Sequence, residues 1–578
     1  MKWVWTLGLF ALTSCGEDSP AGDPTTLPEW GSPTGITSAT DPTSQTSTQT
    51  SSTSPTTSTT TPKPGLVLGE EIDCRDPLMR ETSGYFERIE LPIEEEVSPF
   101  LLGVGGGLIM GDFTGNGQVE LFTPSETTYQ FWVQQADGSW RDEKHRIPDT
   151  DLSMSIGGTI VDVDSDGDFD IFVQRFVGTH VLLENDGTGH FMDITTSTGL
   201  DTHNYHSQSS SWGDFDFDGD LDLVVGNYSD VVEDEAAPIP ETLEPSELWR
   251  NNGDGTFDDA SHLLPVDVQE GYVFQTGFYD LTMDGYPELL FIHDYGEQTW
   301  DSRILTNTKG TFRVDLGSEF DPFYSGMCLG FGDVNGDLLP DILQTSWRDL
   351  SLHLAAPSDL ADNGLSYAIE WAPSLGLMLQ YDVLGQDFGW GCELQDLDND
   401  TDLDAPMVMG RWRLEPPMQY DAMFVQDEGG RFTDLASSDE WDMADGEGGR
   451  GMLTFDVNHD GHLDLIKKHI DAPTLIYQSH CSDRTWLKVD LIGPSPNRYA
   501  IGAKVVVSHG SEQWVRWVHS GSSSLYAGGP PTVHFGLDDI DTVDSVEVFW
   551  PDLSTSVYQD VPTRRRLTIT QLEPEPSP

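Results

Sequence analysis

The chain has 578 residues, 99 acidic and 28 basic side chains, and a formal net charge of −71. Nucleic acid and anionic lipid repel such a polyanion, so neither is expected as a partner. The length predicts about two to four domains, and 37% hydrophobic with 10% aromatic residues supplies packed cores that an acidic disordered polymer lacks.

The N-terminus "MKWVWTLGLFALTSC" has one cation, Lys2, then an apolar run too short to cross a bilayer as a helix, and it ends in small residues before Cys15. That is an export signal. Leu12-Thr13-Ser14-Cys15 resembles the lipobox of bacterial lipoproteins, in which the cysteine becomes the lipidated first residue; an ordinary secretory signal with an incidental cysteine is the alternative. The resemblance implies a signal peptide over residues 1–14, lipidation of Cys15 and an exported lipoprotein. Gly16 stands where an aspartate would favour the inner membrane, which points to the outer membrane or cell surface. Residues 15–66 are Ser, Thr and Pro, as in "TSQTSTQTSSTSPTTSTTTPKP", and bury too little to fold. They predict a tether with a span on the order of 40 Å.

A nine-residue acidic loop then recurs seven times: "DFTGNGQVE" from Asp112, "DVDSDGDFD" from Asp162, "DFDFDGDLD" from Asp214, "DLTMDGYPE" from Asp280, "DVNGDLLPD" from Asp333, "DLDNDTDLD" from Asp396 and "DVNHDGHLD" from Asp456. Starts lie 50 to 66 residues apart, enough for a four-stranded propeller blade. Apolar segments such as "GGTIVDV" and "FDIFVQRF" flank each loop, so it closes a hairpin. Farther on come a strand, a Gly-rich turn and an aromatic-led strand, as in "LLENDGTGHFMD" from Leu182 and "LWRNNGDGTFDD" from Leu248. The strand before each loop is rich in small residues, as in "SIGGTIVD", "SQSSSWGD" and "SGMCLGFGD". Glycine weakens a strand and is tolerated where backbones approach closely, as around a propeller axis. The predicted fold is all-β, a seven-bladed propeller over residues 67–480 followed by a small β domain over 481–572.

Carboxylates at positions 1, 3 and 5, a glycine at 6 and a backbone carbonyl at 7 are how a short loop wraps Ca²⁺ in hard oxygen ligands. An EF-hand would add a glutamate at position 12, but Val173, Val225 and Lys467 occupy it in three copies. The last carboxylate lies at position 9 instead. Mg²⁺ fits less well, because it demands tight octahedral geometry and keeps its waters. Without a cation, carboxylates a few ångströms apart repel by about 1 kcal/mol or more per pair. The copies are unequal: Asp162, Asp214 and Asp456 begin complete loops, Leu338 and Thr401 replace the glycine at position 6, and Thr114, Asn116 and Thr282 dilute the charge. Occupancy is expected to be weakest in the loops from Asp112, Asp280 and Asp333.

These loops resemble the FG-GAP or VCBS repeats of integrin α-subunit propellers, over roughly residues 95 to 475. The resemblance implies up to seven structural Ca²⁺ ions, held by the side chains at positions 1, 3, 5 and 9. These are Asp112, Thr114, Asn116 and Glu120 in loop 1; Asp162, Asp164, Asp166 and Asp170 in loop 2; and Asp214, Asp216, Asp218 and Asp222 in loop 3. Loop 4 supplies Asp280, Thr282, Asp284 and Glu288, and loop 5 supplies Asp333, Asn335, Asp337 and Asp341. Loop 6 supplies Asp396, Asp398, Asp400 and Asp404, and loop 7 supplies Asp456, Asn458, Asp460 and Asp464. Beyond Cys481, the residues Asn497-Arg498, Ile501-Gly502-Ala503, Arg516, Gly521-Ser522, His534-Phe535-Gly536-Leu537 and Trp550-Pro551-Asp552 resemble the ASPIC/UnbV domain. Ser523-Ser524 depart from the Gly-Tyr pair usual there.

Cys74 and Cys481 flank the repeats, and a bond between them would close the ring; free buried thiols are the other reading of Cys74, Cys328, Cys392 and Cys481. No Gly-x-Ser-x-Gly elbow, His-Glu-x-x-His pair or phosphate loop occurs. His203 and His206, upstream of loop 3, are candidates for the central channel or for a solvated loop. Arg516, His519 and His534, with the polar run Gly521 to Ser524, are candidates for a site or for structure. The insertion "SDVVEDEAAPIPETLEPSE" from Ser229 is expected as a surface loop. The functional expectation is binding or adhesion to a surface protein or glycan, with membrane contact through the lipid anchor only. The alternatives are an exported hydrolase acting on glycan or lipid from the channel, and a purely structural envelope protein.

Overall fold

The computed structural model describes residues 64–72, 85–92, 105–229, 243–266, 271–294, 302–314, 326–346, 350–358, 364–370, 372–379, 388–410, 420–438, 441–443, 447–470 and 472–572. The signal, Cys15, nearly all of the Ser/Thr/Pro tract, Cys74 and most of the acidic insertion lie outside these residues. No helix among them is long and apolar enough to cross a membrane.

Six blades are consecutive four-stranded antiparallel units, whose innermost strands are Leu108–Gly111, Ser155–Val161, Ser207–Gly213, Val273–Tyr279, Gly326–Gly332 and Gly389–Cys392. The seventh takes Gly449–Phe455, Asp464–His469 and Thr474–Ser479 from the end of the repeat region. Its outer strand, Phe86–Leu91, comes from the beginning, paired from Phe86 with Ser479 to Leu91 with Thr474. Each innermost strand touches the next, and the seventh touches the first, so the ring closes with one blade shared between its two ends. Each blade interface is an apolar layer; between blades 3 and 4 it holds Phe215, Val224, Leu248, Phe278, Leu289 and Phe291.

The C-terminal domain has two four-stranded sheets. One contains Glu512–Trp517, Lys504–His509, Thr542–Phe549 and Thr555–Pro562; the other contains Arg565–Thr570, Trp486–Ile492 and Val533–Gly536. Its fourth strand is Leu66–Leu68, with Leu66 opposite Ile569. The expected boundary at residue 67 is therefore corrected: the segment entering the propeller first lends a strand to the C-terminal domain. Alternating "KVVVSH" and "VEVFW" place Val505, Val507, Val546 and Val548 in a core that continues into Phe172, Trp212 and Leu223 of blades 2 and 3. The two predicted domains share a core.

Cys481 is in a disulfide, with a partner outside the described residues. Cys328 and Cys392 are free and buried. They touch across blades 5 and 6, where the Cys392 amide donates to the Cys328 sulfur at 2.9 Å.

Candidate metal loops and the filled channel

Each acidic loop joins the innermost strand of a blade to the second, and all seven follow one backbone path. Position 4 has φ of 55° to 73° in Gly115, Ser165, Phe217, Met283, Gly336, Asn399 and His459. Position 6 has φ of 67° to 100° in Gly117, Gly167, Gly219, Gly285, Leu338, Thr401 and Gly461. Left-handed backbone costs a residue with a Cβ about 1 kcal/mol or more. The glycine at 6 was legible in the sequence, whereas the turn at 4 accepts any residue and left no trace.

Two carboxylates hold this path. Asp214 accepts the Asp218 and Gly219 amides at 3.0 and 2.9 Å, and Asp112, Asp280, Asp333, Asp396 and Asp456 accept their counterparts. Asp162 accepts only Gly167. At position 9, Glu120, Asp170, Asp222, Glu288, Asp341, Asp404 and Asp464 are buried, and each accepts the amide of position 2 at 2.8 to 3.0 Å. Asp170, Asp222, Asp341, Asp404 and Asp464 also accept an amide of the third strand, as Asp222 does from Asn251 at 2.8 Å. Position 9 thus sews the loop to its blade.

Three loops gather three carboxylates whose oxygens lie within 4.8 Å of one another: Asp162, Asp164 and Asp170; Asp214, Asp216 and Asp218; and Asp396, Asp398 and Asp404. Asp162 Oδ1, Asp216 Oδ1 and Thr282 Oγ1 are buried without a hydrogen bond, so loops 2, 3 and 4 each keep an orphaned oxygen, whereas Asp398 Oδ1 in loop 6 is met by Arg484. Burial pushes the Asp162 carboxyl up to about 6, Asp214 to about 7, and Asp170 and Asp396 to about 8. Hard oxygens, orphaned and costly to ionise, fit a divalent cation.

Loops 1, 5 and 7 close on themselves. Thr114 Oγ1 donates to Glu120 at 2.9 Å and Asn116 Oδ1 accepts the Gln118 amide. Asn335 Nδ2 donates to Asp337 at 3.2 Å and Asn458 Nδ2 to Asp460 at 3.0 Å. In the remaining loops, Asp166 and Asp284 each accept the amide two residues on, as Asp400 does from Asp402. A further trio, Asp460, His462 and Cys481, lies within 4.8 Å, but the sulfur is committed to a disulfide.

The C-terminal domain covers this face. Tyr499 Oη donates to the Gly167 carbonyl at 2.7 Å, His534 pairs with Asn399 Oδ1 at 2.7 Å, and the Asp538 amide donates to the Asn399 carbonyl at 3.0 Å. Its cations are aimed at the acid. Arg484 Nη1 lies 2.6 Å from Asp398 Oδ1. Lys488 Nζ is 3.7 Å from Asp456 Oδ2. Arg498 approaches Gly167 and, after the Gly167 amide, opposes part of the rise that burial gives Asp162.

The channel is filled by a hairpin of the same domain, Ser520–Ser524 and Ala527–Gly528. Ser211 pairs with Gly521, and Leu108 runs parallel to Ala527, which merges blades 1 and 3 into one ten-stranded sheet. Tyr526 is wholly buried, its hydroxyl donating to Gln208 Oε1 at 2.5 Å. The small residues of the innermost strands make room: a Cβ on Gly157 would lie 2.8 Å from the Tyr526 carbonyl oxygen, and one on Gly391 2.7 Å from Ser524 Oγ. The polar run is therefore a plug of the channel.

The other candidates separate. His203 and His206 precede the innermost strand of blade 3, at the end opposite the acidic loop. They do not face the channel. His203 and His180 both bond Glu247, at 2.5 and 2.9 Å, and His206 Nδ1 lies 3.0 Å from Glu244. Burial would raise Glu247, but the two imidazoles overcome it and pull the carboxyl to about 2, while that bond raises His203. Arg516 donates to the His534 and Val515 carbonyls. Together with His519 and His534 it lines a cavity against Glu393 and Thr454, and burial lowers both histidines.

Residues 112–173 and 162–225 match the FG-GAP-like repeat, and residues 493–576 match ASPIC and UnbV. The chain carries FG-GAP-like repeats and a C-terminal ASPIC/UnbV domain. Cartilage acidic protein 1 of Xenopus tropicalis is 40% identical over 60 residues, and those of Mus musculus and Homo sapiens are 37% identical over 60. The match spans 10% of this chain and 9% of each relative. Among solved structures, an Agrocybe aegerita lectin that recognises non-reducing terminal N-acetylglucosamine is 14% identical, covering 67% of this chain and 87% of its own, with a TM-score of 0.37. BBS1N in complex with ARL6DN is 9% identical, covering 68% and 97%, with a TM-score of 0.36.

Proposed function

We propose that the protein is a lipid-anchored surface propeller, stabilised by calcium in its acidic loops, that binds a protein or glycan partner. The observation that carries this reading is the inequality of the two ends. The ASPIC/UnbV domain covers the acidic-loop end and its hairpin fills the channel, which leaves the opposite end as the propeller face that the domain does not cover. His203 and the Ser229 insertion begin on that end. In this reading the Ser/Thr/Pro tract links a lipidated Cys15 to the folded chain.

The test is a screen of glycans and surface proteins against the full chain, with Ca²⁺ and with chelator. Saturable binding that weakens as chelator unfolds the loops is expected; catalytic turnover of a glycan or lipid without stable binding would replace this reading by the hydrolase one. Cys15→Ala is expected to move the protein from the membrane fraction to the soluble fraction.

A further inference from the structure

Loop 7, "DVNHDGHLD", is complete in sequence, yet the C-terminal domain enters it with a buried cation. Lys488 reaches it from the strand Trp486–Ile492. Its side chain is 4% exposed and that of Asp456 1%. The ammonium lies 3.7 Å from Asp456 Oδ2, donates to the Asp456 carbonyl at 3.3 Å, and sits 3.8 Å from the centre of the Phe455 ring. Two residues before it, Trp486 is packed on the loop so closely that a Cβ on Gly461 would lie 1.6 Å from the indole. An ammonium held in these contacts is a buried, fully enclosed partner for the loop's negative charge.

The loop's own oxygens are already spoken for. Asp456 accepts the Asp460 amide at 3.0 Å and the Gly461 amide at 3.2 Å. Asn458 turns its Oδ1 to the Asp460 amide and its Nδ2 to the Asp460 carboxylate, both at 3.0 Å. An amide nitrogen facing that carboxylate presents a donor where a cation needs an acceptor. None of these side chains keeps an orphaned buried oxygen, unlike those of loops 2, 3 and 4; loop 6 also meets a cation of the C-terminal domain, Arg484, but that side chain is 36% exposed where Lys488 is enclosed. Loop 3 also has a basic neighbour, Arg250, 2.9 Å from Asp216 Oδ2, but that side chain is 42% exposed and leaves Asp216 Oδ1 unbonded.

We propose that Lys488 is the resident cation of loop 7, taking the place of calcium there and fastening the ASPIC/UnbV domain to the propeller. The inference rests on the calcium reading of the other loops. The lysine excludes a divalent ion by charge and by pinning Asp456, so loop 7 keeps its shape when calcium is removed.

The experiment counts ions bound to the full chain by native mass spectrometry in saturating Ca²⁺. Asp218→Asn in loop 3 is expected to lower the count by one, Asp460→Asn in loop 7 to leave it unchanged, and Lys488→Met to raise it by one. Loss of an ion from Asp460→Asn overturns the inference and leaves the calcium reading intact, as does a folded Lys488→Met chain with an unchanged count. If Lys488→Met does not fold, the two aspartate variants decide the matter by themselves. A wild-type chain that binds no calcium overturns the underlying reading and the inference with it.

Discussion

Loops 3 and 7 begin from equally complete motifs and end in different electrostatic states. In loop 3, Asp214, Asp216 and Asp218 face one another with an orphaned oxygen and an exposed arginine at the rim. In loop 7 an asparagine closes the ring and a buried lysine from another domain supplies the charge. The same acidic motif therefore specifies a backbone path, and the neighbours decide how its charge is met. The position-9 carboxylate is common to both, since it bonds backbone whatever the cation.

The largest expected difference between these loops comes from their glycines. Gly461→Ala drives a methyl group into Trp486, whose displacement forfeits a fully buried indole, about 3–5 kcal/mol. Gly219→Ala meets nothing nearer than Pro496 Cδ at 3.7 Å and costs only the left-handed backbone, about 1 kcal/mol. Denaturant midpoints of the two variants check this, and equal losses would remove the asymmetry.

Calcium removal comes next. An ion at a hundred times its Kd stabilises the folded chain by about 2.7 kcal/mol per site. Chelator is expected to lower Tm by that route, with hydrogen exchange accelerated in loops 2 and 3 but not in loop 7. An unchanged melting curve in excess chelator would sink the calcium assignment.

Acidity gives a third contrast. In calcium-free protein, burial holds Asp214 at about 7 and Asp170 at about 8, above the ordinary carboxylate value. Groups raised on folding contribute stability that is complete below their unfolded pKa and is lost as pH rises through the folded one. The chelated chain is expected to have a lower denaturant midpoint at pH 8.5 than at pH 5.5. Excess Ca²⁺, which favours the ionised carboxylates, is expected to abolish that fall. The smallest effect is that of Tyr526→Phe, which removes the hydrogen bond to Gln208 inside the plug, about 1 kcal/mol.

Much of this was legible in the chain. Seven loops at blade spacing, the glycine at position 6 and the alternating strands after Cys481 predict the all-β architecture and the family resemblance. Small residues in the innermost strands signalled a close approach, but not what approached. The polar stretch "SGSSSLYAGG" gives no sign of burial by composition, and its place in the channel depends on contacts more than 300 residues away in sequence, such as Ser211 to Ser520. His203 and His206 have the residue types of an active site, and only their pairing with Glu247 and Glu244 shows a clamp within and between blades.

The sequence by itself determined the repeat, the hairpin loop and its carboxylate spacing, because these follow from backbone geometry over nine residues. Tertiary structure alone decided which ends of the chain complete which sheets: Phe86–Leu91 closes blade 7 and Leu66–Leu68 closes the C-terminal sheet. It alone decided that the channel is filled and that Lys488 stands at loop 7. The physical reason is range: turn geometry is set by neighbours along the chain, whereas charge compensation and cavity filling are satisfied by whatever side chain the folded molecule brings within a few ångströms.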